Sequence, residues 1–390
     1  MRIHPSQRMS RIPPYVFARI GQRIATLRAD GADVIRIDIG SPDLPPAPAI
    51  IEALVDGARR DDSHGYGPFG GPGTFRRAVA DYYDRRFGVS LDPERQVLGL
   101  VGSKQGLFNL AQAMVDPEDV VLVPDPAYPV YKSASLFAGA NVVPMPLRAE
   151  NGFLPDLDAI PRESLERASL MWLNYPNNPT GATADLSFFE SVVELARRHG
   201  FLIVHDAPYT EVCFGKYVAP SLLQVPGALE VGVEFNSLSK AYNMAGWRVG
   251  MALGNPVPIE TLAVLKSQMD TSHFTPIWEA ATAALQGDQG WIEERNAVYE
   301  ARRDLVLETL MAIGMPAPAP RAALYVWAPL PEGETSSEAF CERLLNDAAV
   351  SVTPGVAFGD AGEGYIRISL GTGTERLTEA MERLKAWRST

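Results

Sequence analysis

Cysteine is scarce in this chain: there are two among 390 residues, Cys213 and Cys341, with no CxxC and no Cys/His spacing. That scarcity fits a reducing compartment and argues against a structural metal site. The five histidines form no HExxH pattern either. Basic residues are also in deficit, with 35 Lys and Arg against 47 Asp and Glu and a net charge of −12. Without a basic patch to compensate, nucleic acid is not an expected partner. No stretch runs long enough without charge to cross a bilayer, so no membrane association is expected. Residues 1–10 carry Arg2, His4, Gln7 and Arg8 and lack the apolar run and small-residue cleavage site of a secretory signal. Export is therefore not expected, and the cytoplasm is the expected location. Repeats and low-complexity tracts are missing as well.

What is present is the composition of a globular protein, 46% hydrophobic and 21% charged. The length exceeds one ordinary core and favours two domains, or one large α/β unit with an appendage. In the middle of the chain, short β-branched runs alternate with longer segments of helical spacing. The expected strands are Val97 to Val101, Val120 to Val123, Asn141 to Met145, Leu170 to Leu173, Leu202 to His205, Gly232 to Asn236 and Val249 to Leu253. The expected helices between them are Lys104 to Val115, Tyr128 to Ala138, Asp185 to His199 and Pro258 to Met269. This is the pattern of an α/β fold with a mostly parallel central sheet, whose ligand sits beyond the carboxyl ends of the strands.

The two ends read differently. A helix Val16 to Ala29 and a strand Val34 to Ile39 precede a proline-rich connector, Ser41 to Pro48. Beyond Gln286 come a charged helix Trp291 to Ile313, strand Ala323 to Ala328, helix Ser336 to Ala348, strands Val350 to Thr353 and Tyr365 to Leu370, and helix Glu375 to Trp387. The expected division is an N-terminal arm and part of a small domain over 1–45, a large domain over 46–286 and the rest of a smaller α+β domain over 287–390.

Chemistry concentrates at the strand ends. Asn236-Ser237-Leu238-Ser239-Lys240 closes a strand, and Arg248 follows eight residues later. A lysine beside hydroxyls and a guanidinium suits an aldehyde cofactor that carries a phosphate. Ser237, Ser239 and Arg248 would hold the dianion, and the nearby cation would favour the neutral, nucleophilic amine. A lone lysine is far more often a solvated surface residue, so the surroundings decide. His205-Asp206-Ala207-Pro208-Tyr209 places a carboxylate where it can pair with a protonated pyridine nitrogen, with Tyr209 reaching the ring hydroxyl. Alone, Asp206 would read as a helix cap or a metal ligand.

Asn174-Tyr175-Pro176-Asn177-Asn178-Pro179-Thr180-Gly181 offers Asn178 as a donor to the ring oxygen, on a turn set by Pro179 and Gly181. Gly102-Ser103-Lys104-Gln105-Gly106, between a strand and a helix, exposes backbone N–H groups to an anion, although it fits neither GxxxxGK[ST] nor GxGxxG. Tyr128 opens the next helix and suits stacking on a ring or burial in a core. The glycine cluster from Gly65 to Gly73 follows no strand and reads as an irregular loop presenting Tyr66. Arg367 lies inside the apolar strand Tyr365 to Leu370 and needs a carboxylate, either an internal partner or the α-carboxylate of an amino acid.

With Lys240, Asp206, Asn178 and Arg367 in this arrangement, the chain resembles the class I/II aminotransferases, from Gly40-Ser41-Pro42-Asp43 through to Arg367. The resemblance implies the fold-type-I architecture and pyridoxal 5′-phosphate. It further implies Lys240 as the lysine that binds the cofactor and shuttles the proton, Asp206 as the pyridine partner, and Asn178 and Tyr209 as ring-oxygen donors. Ser103 and Lys104 through their backbone, Ser237, Ser239 and Arg248 are implied at the phosphate, with Tyr128 at the ring. Arg367 and the Gly40 backbone are implied at the substrate carboxylate. Tyr66 matches a residue that reaches the neighbouring subunit's phosphate, which implies a homodimer with shared sites. Pro208 departs from the family, where a small non-proline residue is more usual, and it removes a backbone donor beside Tyr209.

Within the family, Glu150 to Leu157, Leu173 to Gly181 and Val231 to Met244 are most similar to the LL-diaminopimelate branch, with aspartate, alanine and succinyl-diaminopimelate aminotransferases as alternatives. A lyase on the same cofactor and a cofactor-sensing regulator are rival readings. The regulator would need a DNA-binding domain, and only about 45 residues precede the main domain, without a helix-turn-helix pattern. Tyr15, Gly70 to Gly73 and Ser272 to Phe274 are the expected segments facing the substrate.

Overall fold

The computed structural model describes residues 3–12 and 16–388. The strands in chain order are β1 (Ile35–Arg36), β2 (Val97–Val101), β3 (Val120–Asp125), β4 (Asn141–Pro146), β5 (Ala168–Asn174), β6 (Leu202–Asp206), β7 (Gly232–Ser237), β8 (Val249–Gly254), β9 (Tyr325–Pro329), β10 (Val350–Ser351), β11 (Thr353–Pro354) and β12 (Tyr365–Ser369). Seven of them form the central sheet in the order β2-β8-β7-β6-β5-β3-β4. Only β8 runs against the rest, pairing antiparallel with β2 and with β7.

This sheet is covered on both faces, which is why its strands read as continuous apolar runs. Period-2 alternation splits each strand between two cores. Met171, Leu173 and Ile203 join the core that holds Phe75, Tyr83, Phe189 and Trp278. Leu170, Trp172 and Val204 join the core beneath Leu107, Leu110, Tyr131 and Leu262. The helices stop where local chemistry requires. Asp185 accepts a hydrogen bond from Phe188 N at 2.9 Å and starts Leu186–His199, whose last turn is basic.

A smaller α+β unit carries the three-stranded sheet β11-β12-β9 and the parallel pair β1-β10. Its core draws on both ends of the chain, packing Ile35 and Ile37 with Tyr325, Val326, Phe340, Ile366 and Leu384. The seven expected central strands lie where the β-branched runs placed them, a residue or two longer at one or both ends for all but the first.

Four departures have physical causes. The helices Pro48–Ala58 and Thr275–Gln286 open on an N-terminal proline, which reads as a break in sequence but is favoured in a helix's first turn. Gly73–Phe87 hides its stripe among arginines and aspartates, and tyrosines supply part of its buried face. The strand expected over Val34 to Ile39 is only Ile35–Arg36: Ile37 O accepts from Ser369 N, and Asp38 O turns to the side chains of Thr353 and Arg367. The strand expected over Val350 to Thr353 breaks at Val352 and serves two sheets. Among the described residues, no helix is long and apolar enough to cross a membrane, and no group of three or more His, Cys, Asp and Glu is placed to hold a metal ion.

Candidate active site

The carboxyl ends of β5, β6 and β7 deliver Asn174, Asp206 and Ser237 to one cavity of about 320 Å³. Its far wall comes from the smaller unit and the N-terminal segment, through Arg367, Tyr325 and the run Asp38-Ile39-Gly40. Ser103, Lys104, Tyr128, Asn178, Tyr209, Ser239, Lys240 and Arg248 complete it among the residues expected from sequence.

Lys240 lies in the short helix Leu238–Ala241 that follows β7, and its Nζ donates to Gly40 O at 2.6 Å. Burial, with Arg248 and Arg367 nearby, pulls its pKa down from 10.5 to about 8. The amine is charged below that pH and neutral above it, and only the neutral form attacks a carbonyl. In protein free of small molecules, the rate at which Lys240 captures an aromatic aldehyde should rise with pH and level off above about 8. Stopped-flow absorbance against pH measures this, and a midpoint near the ordinary 10.5 would contradict the shift. The backbone of Lys240 is held in turn by Arg295, whose guanidinium donates to Lys240 O at 3.2 Å, to Ala241 O, and to Glu211 O at 2.5 Å.

Asp206 is buried, and Tyr131 Oη donates to its Oδ2 at 2.7 Å. Its Oδ1 has no hydrogen-bond partner. Burial raises its pKa to about 6. A buried carboxylate oxygen left over in a cavity is a place for a cationic donor. Asn174 aligns the neighbouring loops, donating to Asp206 O at 2.7 Å and accepting from Asn178 N at 2.8 Å.

Arg367 is buried in β12 without an ion-pair partner among the described residues. It donates to Asn178 Oδ1 at 2.8 Å, to Asp38 O at 2.7 Å and to Thr353 Oγ1 at 3.4 Å. Its Nε is buried and unpaired, and its guanidinium lies 4.3 Å from the centre of the Tyr325 ring. Desolvating a guanidinium among neutral groups is costly, and an anion entering the cavity offsets that cost.

The opposite end of the cavity is an anion cradle. Ser103 opens the helix Ser103–Met114, with Gly102 before it at φ 74°. A Cβ on Gly102 would sit 2.3 Å from Arg248 Nη2, so the approach of this guanidinium needs glycine. Arg248 Nη1 donates to Ser239 Oγ at 3.3 Å, and Ser237 Oγ accepts from Ser239 N at 3.2 Å.

Tyr209 Oη pairs with Tyr325 Oη at 2.7 Å, and Pro208 beside it lines the cavity. A Cβ on Gly40 would meet Tyr325 Oη at 2.1 Å, so only glycine lets that segment pass. Tyr66 is 94% exposed and stands outside this cavity. Tyr15 lies outside the described residues. Gly70 to Gly73 and Ser272 to Phe274 do not line the cavity within this chain.

Sequence reasoning missed Tyr131, Asn174, Arg36, Asp38 and Tyr325, which line the cavity, and Arg295, which holds the Lys240 backbone. Asn174 ends an apolar strand beside a motif already singled out, so position alone pointed to it. Tyr131 looks like core in an apolar helix, and Arg295 is one charge among many in a charged helix.

A depressed lysine, a carboxylate with a spare oxygen and an anion cradle at the carboxyl edge of this sheet together define a pyridoxal-phosphate enzyme of fold-type-I architecture. Residues 32–384 match the family described as aminotransferase class I and II, and the chain belongs to that family. It is accordingly a pyridoxal 5′-phosphate-dependent aminotransferase. It is 51% identical over 380 residues to the LL-diaminopimelate aminotransferase of Desulforudis audaxviator, covering 97% of each chain. It is 49% identical to that of Moorella thermoacetica, again over 97% of each. Among solved structures, substrate-bound BacF from Bacillus subtilis matches with a TM-score of 0.95 at 37% identity, covering 100% of this chain and 98% of that one. A mutant of Thermus thermophilus aspartate aminotransferase matches with a TM-score of 0.92 at 33% identity, covering 99% and 100%.

Proposed function

We propose that the chain moves the amino group of LL-diaminopimelate to a 2-oxo acid, with 2-oxoglutarate as acceptor, in lysine biosynthesis. The observation that carries the reading is Arg367, a buried guanidinium with only neutral partners, facing Lys240 across a cavity sized for one cofactor and one amino acid. The donor's identity is supported by curated relatives of that name at 44–51% identity over nearly the whole chain.

The residues fit the cofactor. The Ser103 and Lys104 backbone, Ser237, Ser239 and Arg248 would hold the phosphate. Tyr128 would stack at the ring, Asn178 and Tyr209 would donate to its oxygen, and the spare Oδ1 of Asp206 would receive the ring N–H. Pyridoxal phosphate supplies the aldehyde that takes up the amino group and a protonated ring that draws electrons from the substrate Cα.

The protein does the rest. Arg367 binds the α-carboxylate with a fork of two donors and, with Gly40, fixes the rotation about the Cα bonds. Lys240 would take the Cα proton onto its own Nζ and give it up to the aldehyde carbon beyond the transferring nitrogen. Each cycle releases one oxo acid before the second enters.

Two copies forming a homodimer complete each site, which accounts for an aromatic side chain as exposed as Tyr66 on a loop rich in glycine. The cytoplasm is the proposed location, and the proposed division of the chain is 1–45 with 287–390 against 46–286.

The test is a donor panel of LL-diaminopimelate, aspartate, alanine and an aromatic amino acid with 2-oxoglutarate. Glutamate should form in step with loss of LL-diaminopimelate, faster than with the other donors. Pyruvate or ammonia appearing without an acceptor would make the enzyme a lyase. Conversion of the aromatic donor alone would remove it from the diaminopimelate branch.

A further inference from the structure

We propose that Arg36 reads the far carboxylate of the donor. The inference rests on the reading above, in which the donor carries a second carboxylate several bonds from the reacting carbon.

The segment from β1 to Gly40 runs along the cavity, and its carbonyls already serve both ends of the reaction. Asp38 O accepts from Arg367 at 2.7 Å, and Gly40 O accepts from Lys240 at 2.6 Å. Arg36 precedes Asp38 by two residues, and its side chain lines the same cavity. Asp38 fixes that guanidinium at two points. Nε donates to Oδ1 at 3.1 Å and Nη2 donates to Oδ2 at 2.7 Å. The carboxylate is only 1% exposed, whereas the Arg36 side chain is 27% exposed. Nη1 makes no hydrogen bond to a described residue, so one edge of a rigid fork remains available for an anion.

The other cationic groups of the cavity have their work. Arg248 and the Ser103–Lys104 turn face the phosphate, Arg367 takes the α-carboxylate, and Lys240 reacts. Phe17 and Ile39 also line the cavity and suit the methylene chain joining the two heads of the donor. A salt bridge serving stability alone would need no edge open to the cavity. Because Asp38 already orients the guanidinium, little rotamer freedom is lost when a carboxylate binds.

The experiment compares the wild-type holoenzyme with Arg36→Gln and with the double variant Arg36→Gln/Asp38→Asn, on two donors. LL-diaminopimelate carries the far carboxylate, and L-lysine keeps a distal ammonium but lacks that carboxylate. Loss of a charge-assisted hydrogen bond is expected to raise KM for LL-diaminopimelate about 10- to 100-fold with kcat little changed. The kcat/KM for L-lysine should stay within about twofold of wild type, since it never used that contact. The double variant leaves no buried carboxylate unpaired and should show the same selective loss. Equal losses on both donors, or recovery in the double variant, would make Arg36 a structural residue and overturn the assignment. A wild-type enzyme that does not turn over LL-diaminopimelate overturns the donor reading itself, and that result is visible before any variant is made.

Discussion

Replacing Lys240 with alanine should lower the steady-state rate of transamination by about 10³-fold or more while the cofactor stays bound. A positioned general base contributes about 10²- to 10⁴-fold. Among the described residues, Lys240 is the only amine or imidazole lining the cavity apart from Lys104. Lys104 lies in the first turn of the helix at the anion cradle, with its Nζ 5.4 Å from the centre of the Tyr128 ring. Removing the Lys240 side chain also removes its hydrogen bond to Gly40 O, a carbonyl of the segment that lines the cavity. The measurements are initial rates with LL-diaminopimelate and 2-oxoglutarate, and cofactor content after gel filtration. A loss under tenfold would mean that another group moves the proton. Loss of the cofactor itself would make Lys240 chiefly an anchor.

The second large effect is expected at Asp206. Its Oδ2 is held by Tyr131 and its Oδ1 is buried and unpaired, so on the proposed reading the carboxylate would hold one proton on the ring nitrogen. Its pKa, raised to about 6 by burial, means that without a cationic partner it protonates as the pH falls through 6. A partner bearing a proton stabilises the ionised form and draws that value down. Asp206→Asn keeps the shape and the Tyr131 contact but not the charge. Removing one member of a buried charged pair costs about 3–5 kcal/mol, or about 10² to 10⁴ in rate when the pair matters in the transition state. The expected result is a fall in kcat of that order, with Asp206→Glu recovering part of it. If asparagine were as active as aspartate, ring protonation would not depend on this residue.

Much of this was legible along the chain. Strands buried on both faces must be apolar throughout, so Val120 to Val123 and Leu202 to His205 announced themselves. Motifs at their ends could be matched to the parts of one cofactor because each part needs a different residue type: an amine, an acid, an amide donor, an anion cradle. Proline at the start of Pro48–Ala58 and Thr275–Gln286 misled, since the same residue that ends helices also opens them. Tyr131 gave no signal, because its role depends on one hydroxyl reaching from the helix after β3 to the end of β6, two strands away in the sheet.

The sequence by itself determined the fold class and the kind of cofactor, which follow from local periodicity and from residue types at strand ends, and pointed to the family through the resemblance of its motifs. Only the tertiary structure decided which groups are left without partners. Arg367 could have been satisfied internally, and nothing along the chain forbade it. Folding surrounds it with neutral oxygens and aromatic rings, as it leaves Asp206 one free oxygen and Arg36 one free edge. Partnership is set by distance between residues up to 329 positions apart. A linear pattern holds the types of groups present, and only the packed chain determines what remains for a ligand to fill.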